Sequence, residues 1–507
     1  MSADPLADAL WSGWLQGLAD AAGGEPLAWL GVTLDRETLR QRLEAALARW
    51  RVLLDGAPPG AVRVGVLAPD GLANLLEGLA MVFAGVSQAV LPWGGTAAER
   101  QGLAQRYGLT HLLAAPDGLP DWPGLRQLGR SAEGLILAAL AESAPVREDG
   151  PMAADEGPGM GSVALLSTTS GTTSGRPALV RLRRGTLLSG QRRLDPSPYD
   201  PLRRQLVTPS LQIPSSRHWK LWALLRGDAL LVRPGEAPWD AATFRGDPCG
   251  TSMPPTQLRR RLAAGDLARV PPGFLVVSGG DHVPMELRRA LNAIPPLRVG
   301  ITFATSQSGP LTWLPPEELL AEPESVGRPL PQVRLRPLGP VRLERAGLAF
   351  REMRIDKARR WLQADGRGGL VERSGGGLRN FRSGDLLALA PSGHVIFGGR
   401  ANDVFLFQGQ MISPVEIEDA LREAPEVEDC AGFGAPSPTY GAVPMAAVVL
   451  RPDVADAAAA AERLRRLGRE RMGHRSAKKI VVLEELPRGP SGKPLRRLLA
   501  ERHALRL

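Results

Sequence analysis

Residues 62–68, VRVGVLA, are apolar at almost every position, the pattern of a strand buried on both faces. Apolar residues at helical spacing follow over 72–84, and 86–91 is apolar again. That succession predicts a βαβ unit with parallel strands. A second unit follows, with a helix over 97–107 and a strand beginning at Thr110. Residues 145–161, PVREDGPMAADEGPGMG, interrupt the pattern with polar residues, Gly and Pro, which predicts a loop or linker. Strand patterns return in SVALL at 162–166 and over 299–304, and Gly-rich turns are expected over 366–377. The last hundred residues change character, with a helix over 414–424, a strand over 442–450, an Ala-rich helix over 455–472 and a strand over 479–483. The whole predicts an α/β fold: a large N-terminal domain of mixed or parallel sheets layered with helices, then a small α+β C-terminal domain.

Composition narrows the function. At 507 residues the chain is long enough for one large and one small domain, and 58 Gly with 46 Pro is high for a globular protein without reaching low complexity. Cys249 and Cys430, far apart in sequence, supply neither a disulfide framework nor a cysteine metal cluster. The beginning, MSADPLADALWSGW, is acidic and lacks the basic flank of a signal peptide. The longest apolar stretch, 78–93, carries Ser87 and Gln88 and falls short of the ~20 residues of a membrane span. No membrane span and a cytoplasmic location are expected. The net charge of +9 is almost wholly an arginine excess, since the chain has five lysines, and it accompanies an Ala, Gly, Pro and Leu richness typical of GC-rich coding bias. With 5% aromatic residues and no run of Lys or Arg interleaved with Phe or Tyr, no nucleic-acid partner is expected.

The chemistry sits in four segments. STTSGTTSGRPALV at 167–180 follows a predicted strand, and its glycines and hydroxyls suit a backbone cradle for phosphate oxygens. FATSQSG at 303–309 ends another strand. FRSGD at 381–385 and GHVIFGGRANDVFLFQGQMISPVEIEDAL at 393–421 together make the third segment, and LPRGPSGKPLRRLL at 486–499 is the fourth.

In this order the four segments resemble the signatures of the adenylate-forming superfamily, which includes acyl-CoA synthetases, luciferases and the adenylation domains of peptide synthetases. The resemblance implies that Thr169, Ser170, Gly171, Thr172, Thr173 and Gly175 hold phosphates and that Phe303 packs on adenine. It gives Ser306 the α-phosphate, Asp385 the ribose hydroxyls, Arg400 the ribose or phosphate, and Lys493 the catalysis of adenylation. Gln307 stands where the family has the Glu that helps to hold Mg²⁺, so it is a weak metal candidate. Asn402 matches the hinge of a mobile lid, which divides the chain into an AMP-binding domain over 1–398 and a C-terminal lid domain over 399–507. Trp219, Met253, Gly279, Gly280 and Ala304 would line the acid pocket, although core packing is as good an account of Trp219 and Trp222. The implied cofactors are ATP and Mg²⁺, with CoA or phosphopantetheine as acceptor, and the implied partners are a small carboxylic acid and an acidic acyl carrier protein.

The sequence departs from the family pattern by an extra Ser174 and by Ala178, Gln307 and Leu406 at positions usually charged. Amino-acid-activating relatives clamp the substrate ammonium with an Asp where this chain has Pro214, so the acid should lack an α-amino group. The expected reaction is activation of that acid as an acyl-adenylate with release of pyrophosphate, then transfer to a thiol. Two alternatives stay open: an amine acceptor, and a degenerate scaffold that binds nucleotide or acyl-adenylate without turnover.

Overall fold

A computed structural model of the chain describes residues 5–20, 26–29, 32–53, 62–131, 133–140, 163–168, 179–191, 193–207, 211, 214–233, 238–322, 324–364, 370–488 and 493–504. The expected linker over 145–161 lies outside the described residues. Helix Leu72–Ala84 is buried from Asn74 through Phe83: its residues are mostly apolar, and its two polar side chains are bonded inside, Asn74 donating to the Ala68 carbonyl at 3.2 Å and Glu77 accepting from the Trp50 indole at 2.8 Å. It connects strands Arg63–Leu67 and Ser87–Val90, which pair in parallel, and ends at Gly85, whose φ of 79° few residues but glycine adopt. Helix Ala97–Tyr107 begins at Thr96, whose side chain accepts from the Glu99 amide, and stops at Gly108 in the left-handed region.

Among the described residues the large N-terminal domain contains two seven-stranded sheets. The first has a parallel centre of His111–Ala114, Arg63–Leu67, Ser87–Val90 and Val163–Thr168. In the second, six parallel strands run in the spatial order Leu297–Thr302, Phe274–Gly279, Gly250–Met253, Arg204–Val207, Ala229–Val232 and Leu27–Trp29. Helix Pro214–Leu225 contributes Leu221 and Leu224 to the core that helix Leu72–Ala84 also fills. A third, antiparallel sheet of four strands ends with Leu370–Leu389 and Val395–Arg400.

The expectation of turns over 366–377 needs correction. Residues 370–377 belong to the strand Leu370–Leu389, which pairs with Leu348–Ala364 through several register shifts. Glycine here relaxes a long strand at bulges instead of ending it. The small C-terminal domain pairs Val427–Ser437, Gly441–Leu450 and Lys479–Val482 in one sheet, with helices Pro414–Arg422 and Ala457–Met472 packed together. No helix among the described residues is long and apolar enough to cross a membrane.

Candidate active site

Asp385 and Arg400 are cross-strand partners at the end of the third sheet, and Arg400 Nε lies 3.5 Å from Asp385 Oδ1. Asp385 is 4% exposed, and its amide donates to Ser383 Oγ at 3.2 Å. Burial pushes its carboxyl above the ordinary range, against the pull of Arg400, Ser383 and Lys493, while Asp403 adds to the rise. A buried carboxylate with one long cationic contact keeps lone pairs for neutral donors such as a pair of hydroxyls.

Phe303 follows strand Leu297–Thr302 directly, at the end of parallel strands where ligands bind in open α/β sheets. Its ring centroid lies 6.1 Å from that of Phe397, and its amide donates to Thr312 Oγ1 at 3.1 Å. Residues 304–310 form a tight hairpin in which Ala304 pairs with Pro310 and Thr305 with Gly309. At its tip Ser306 is exposed and Gln307 half-buried. The Thr305 hydroxyl shapes this tip by accepting from the Ser308 amide at 3.0 Å.

The residues expected to line an acid pocket divide. Met253 and Gly279 end two neighbouring strands, Met253 in register with Ser278 and Gly279 with Thr302, and Ala304 opens the hairpin just past the third. A Cβ on Gly279 would stand 2.7 Å from the Thr302 carbonyl oxygen, so only glycine permits this strand approach. Gly280 turns the chain at φ 89°. Trp219 is packed among aromatic and apolar neighbours: its ring centroid is 3.9 Å from that of Tyr199 and 4.9 Å from that of Trp222, and its indole N–H donates to Gln205 Oε1 at 2.9 Å. These contacts support the packing account of Trp219. Thr169, Ser170, Gly171, Thr172, Thr173 and Gly175 lie outside the described residues, although the strands on either side pair, Thr168 opposite Leu179.

The small domain brings Lys493 to this same place. Burial holds its ammonium below the ordinary lysine range; Asp281 and Asp385 oppose that shift, while Arg400 and Arg496 reinforce it. Charged groups after the second sheet and in the third thus both act on Lys493. Three residues further, Arg496 Nη2 donates to Glu418 Oε1 at 2.7 Å and ties the lysine segment to helix Pro414–Arg422. Asn402 lies exposed in the turn after Arg400, before the hairpin of Phe405–Phe407 and Gln410–Ile412.

Sequence reasoning missed two contributors. Lys357, 8% exposed, donates from Nζ to the carbonyls of Ser308 at 2.8 Å and Pro310 at 2.7 Å, bracing the hairpin that carries Ser306 and Gln307. Its signal was available, since a lysine is rare in this arginine-rich chain. Asp281 had none, because its approach to Lys493 depends on how the domains dock. Among the described residues no group of three or more His, Cys, Asp or Glu is placed to hold a metal.

Residues 36–344 match the AMP-binding enzyme family. The chain belongs to it. Residues 416–493 match the AMP-binding enzyme C-terminal domain, so the order of the two domains is that of the adenylate-forming superfamily. One relative is a sulfoacetate–CoA ligase of Cupriavidus necator, 40% identical over 125 residues, or 24% of each protein. The aligned stretch thus spans about a quarter of that relative's length. Among solved structures, the o-succinylbenzoate CoA synthetase of Bacillus subtilis bound to its acyl-adenylate superposes with a TM-score of 0.70 at 20% identity, covering 98% of this chain and 99% of that one. That enzyme has also been solved with ATP and a magnesium ion. An amide bond synthetase of Marinactinospora thermotolerans superposes with a TM-score of 0.69 at 20% identity, covering 98% and 100%. At these identities the superpositions establish a shared fold.

Proposed function

We propose that this AMP-binding enzyme activates a carboxylic acid as an acyl-adenylate and passes the acyl group to a thiol. The observation that carries the reading is Lys493 of the small domain standing with Asp385 and Arg400 of the large one. The acid's carboxylate oxygen attacks the α-phosphorus of ATP, the bond to the β-phosphate oxygen breaks, and pyrophosphate leaves. Asp385 accepts from the ribose hydroxyls, Phe303 packs on the base, and Lys493 stabilises negative charge growing between carboxylate and α-phosphate. The segment 169–175 and Ser306 hold phosphate oxygens. In the second step the thiol sulfur attacks the acyl carbon and AMP leaves with the bonding electrons.

Magnesium, when bound with the nucleotide, would neutralise triphosphate charge. Gln307 fits only as a weak ligand, offering an amide oxygen where a hard cation favours a carboxylate, so the phosphates themselves would supply most of the donors. The lid, residues 399–507, rotates on the AMP-binding domain, residues 1–398, about Asn402, withdrawing Lys493 so that the thiol can enter. Pro214 heads helix Pro214–Leu225 and offers no charge to an ammonium, which supports an acid without an α-amino group. Relatives named for sulfoacetate and o-succinylbenzoate point the same way and favour CoA as acceptor. A carrier-protein phosphopantetheine and, from the amide bond synthetase, an amine are the competing acceptors.

The test is a panel of acids assayed by ATP–pyrophosphate exchange and hydroxylamine trapping, followed by CoA, holo-carrier protein and small amines as acceptors. Lys493→Ala should lower adenylation about 100- to 1,000-fold while sparing thioester formation from a supplied acyl-adenylate. Absence of exchange with every acid refutes the reading.

A further inference from the structure

The turn after strand Phe274–Gly279 places two adjacent residues against the small domain. The charge of Asp281 acts on Lys493, and His282 Nε2 lies 3.0 Å from Asp419 Oδ1 on helix Pro414–Arg422. The His282 side chain is 5% exposed and that of Asp419 22%. His282 is fixed from the large domain on two further sides. Its amide donates to Asp281 Oδ1 at 2.9 Å, and its ring stacks on Phe397, with centroids 6.4 Å apart and planes 24° apart. On the other side, Asp419 adjoins Glu418, which accepts from Arg496 and from the Gly432 amide at 2.9 Å. A short run of contacts therefore leads from His282 through the helix to the segment that carries Lys493.

The surroundings make this contact sensitive to its partner. Glu324, Arg345 and Arg288 approach from the large domain, and Glu416, Arg422 and Arg475 from the small one. Burial acts to raise the Asp419 carboxyl, yet His282 first, then Arg422 and Arg345, hold it below its ordinary value. His282 Nδ1 and Asp419 Oδ2 are buried with no protein partner among the described residues, so the pair is not saturated by other bonds.

We propose that His282 and Asp419 are positioning residues whose contact across the domains selects the orientation in which Lys493 enters the active site. Neither touches the reacting atoms. The part of the proposal that concerns catalysis rests on the ligase reading; the part that concerns domain orientation does not. A contact confined to one orientation must act on adenylation and leave the thiol step alone, since that step needs the contact released.

The experiment pairs kinetics with a direct measure of orientation. His282→Ala should lower kcat for adenylation about 10-fold with KM for ATP and acid little changed, from loss of one charge-assisted hydrogen bond. Thioester formation from supplied acyl-adenylate should hold or rise. His282→Gln, whose amide N–H can reach Asp419, should recover part of the loss, and His282→Ala with Asp419→Asn should lose no more than either alone. Fluorescence energy transfer between dyes on one exposed site of each domain should show a smaller closed population in both single variants, with thermal unfolding confirming that each is folded. Equal losses in both half-reactions, additive losses, or unchanged energy transfer would overturn the proposal. If wild type turns over no acid, the ligase reading fails, while energy transfer still decides whether His282 and Asp419 hold the domains together.

Discussion

Asp385, proposed to hold the ribose, shows what such a role would ask of a folded chain. Its carboxyl is buried and raised above the ordinary range despite Arg400, so the folded chain holds the charged form at a disadvantage. For an acid whose folded pKa exceeds its unfolded one, stability is full below the unfolded value and declines as pH rises through the folded value. Asp385→Asn should therefore leave neutral-pH stability equal to or above wild type. The stability difference between the two proteins should vanish on acidification toward about pH 4. The same variant should raise KM for ATP about 10- to 100-fold, because an ionised acceptor of two hydroxyls is replaced by a neutral amide. Urea unfolding across pH, beside ATP kinetics, tests both halves. A variant destabilised at neutral pH would show that Asp385 serves the fold more than the nucleotide.

The hairpin 304–310 raises the same question for an element. Two strands of two residues each have little pairing of their own, so the tip bearing Ser306 and Gln307 depends on the Thr305 hydroxyl and on Lys357 Nζ. Lys357→Met keeps the stem and removes both donations, leaving two carbonyls unpaired. It should cost about 1–3 kcal/mol of stability and weaken nucleotide binding more than acid binding, as calorimetry and denaturant titration would reveal. Helices 72–84 and 97–107 were legible in the sequence because local signals agree there: apolar spacing, the Thr96 cap, and glycines at 85 and 108. The strand Leu370–Leu389 was not, since RSGGG has the composition of a turn and long-range pairing with Leu348–Ala364 overrides it. The motifs singled out Asp385 and Arg400 one by one, and their pairing across two strands is a finding of the structure; the lysine that braces the hairpin tip and the carboxylate near Lys493 depend on tertiary packing, which spacing does not encode.

For the whole molecule the proposed mechanism makes one demand above the others: a single lysine is present for the first step and absent for the second. The large domain supplies Asp385, Arg400 and Asp281, while Lys493 belongs to the small domain, whose buried residues form clusters of their own. Between them lie a strand that ends at Arg400 and a turn whose Asp403 amide donates back to the Arg400 carbonyl at 3.1 Å. Few backbone dihedrals therefore separate the two sets of core residues, and Asn402 is exposed among them. Asn402→Pro fixes φ at that point near −65° and removes an amide donor. If the hinge is there, ATP–pyrophosphate exchange should persist within about threefold, since the closed orientation needs no rotation, while thioester formation should fall by about 100-fold or more. Lys493→Ala should do the reverse. Two variants a hinge apart that abolish opposite half-reactions would show that a single site is used twice in different domain orientations. Parallel losses in both would place the rotation elsewhere.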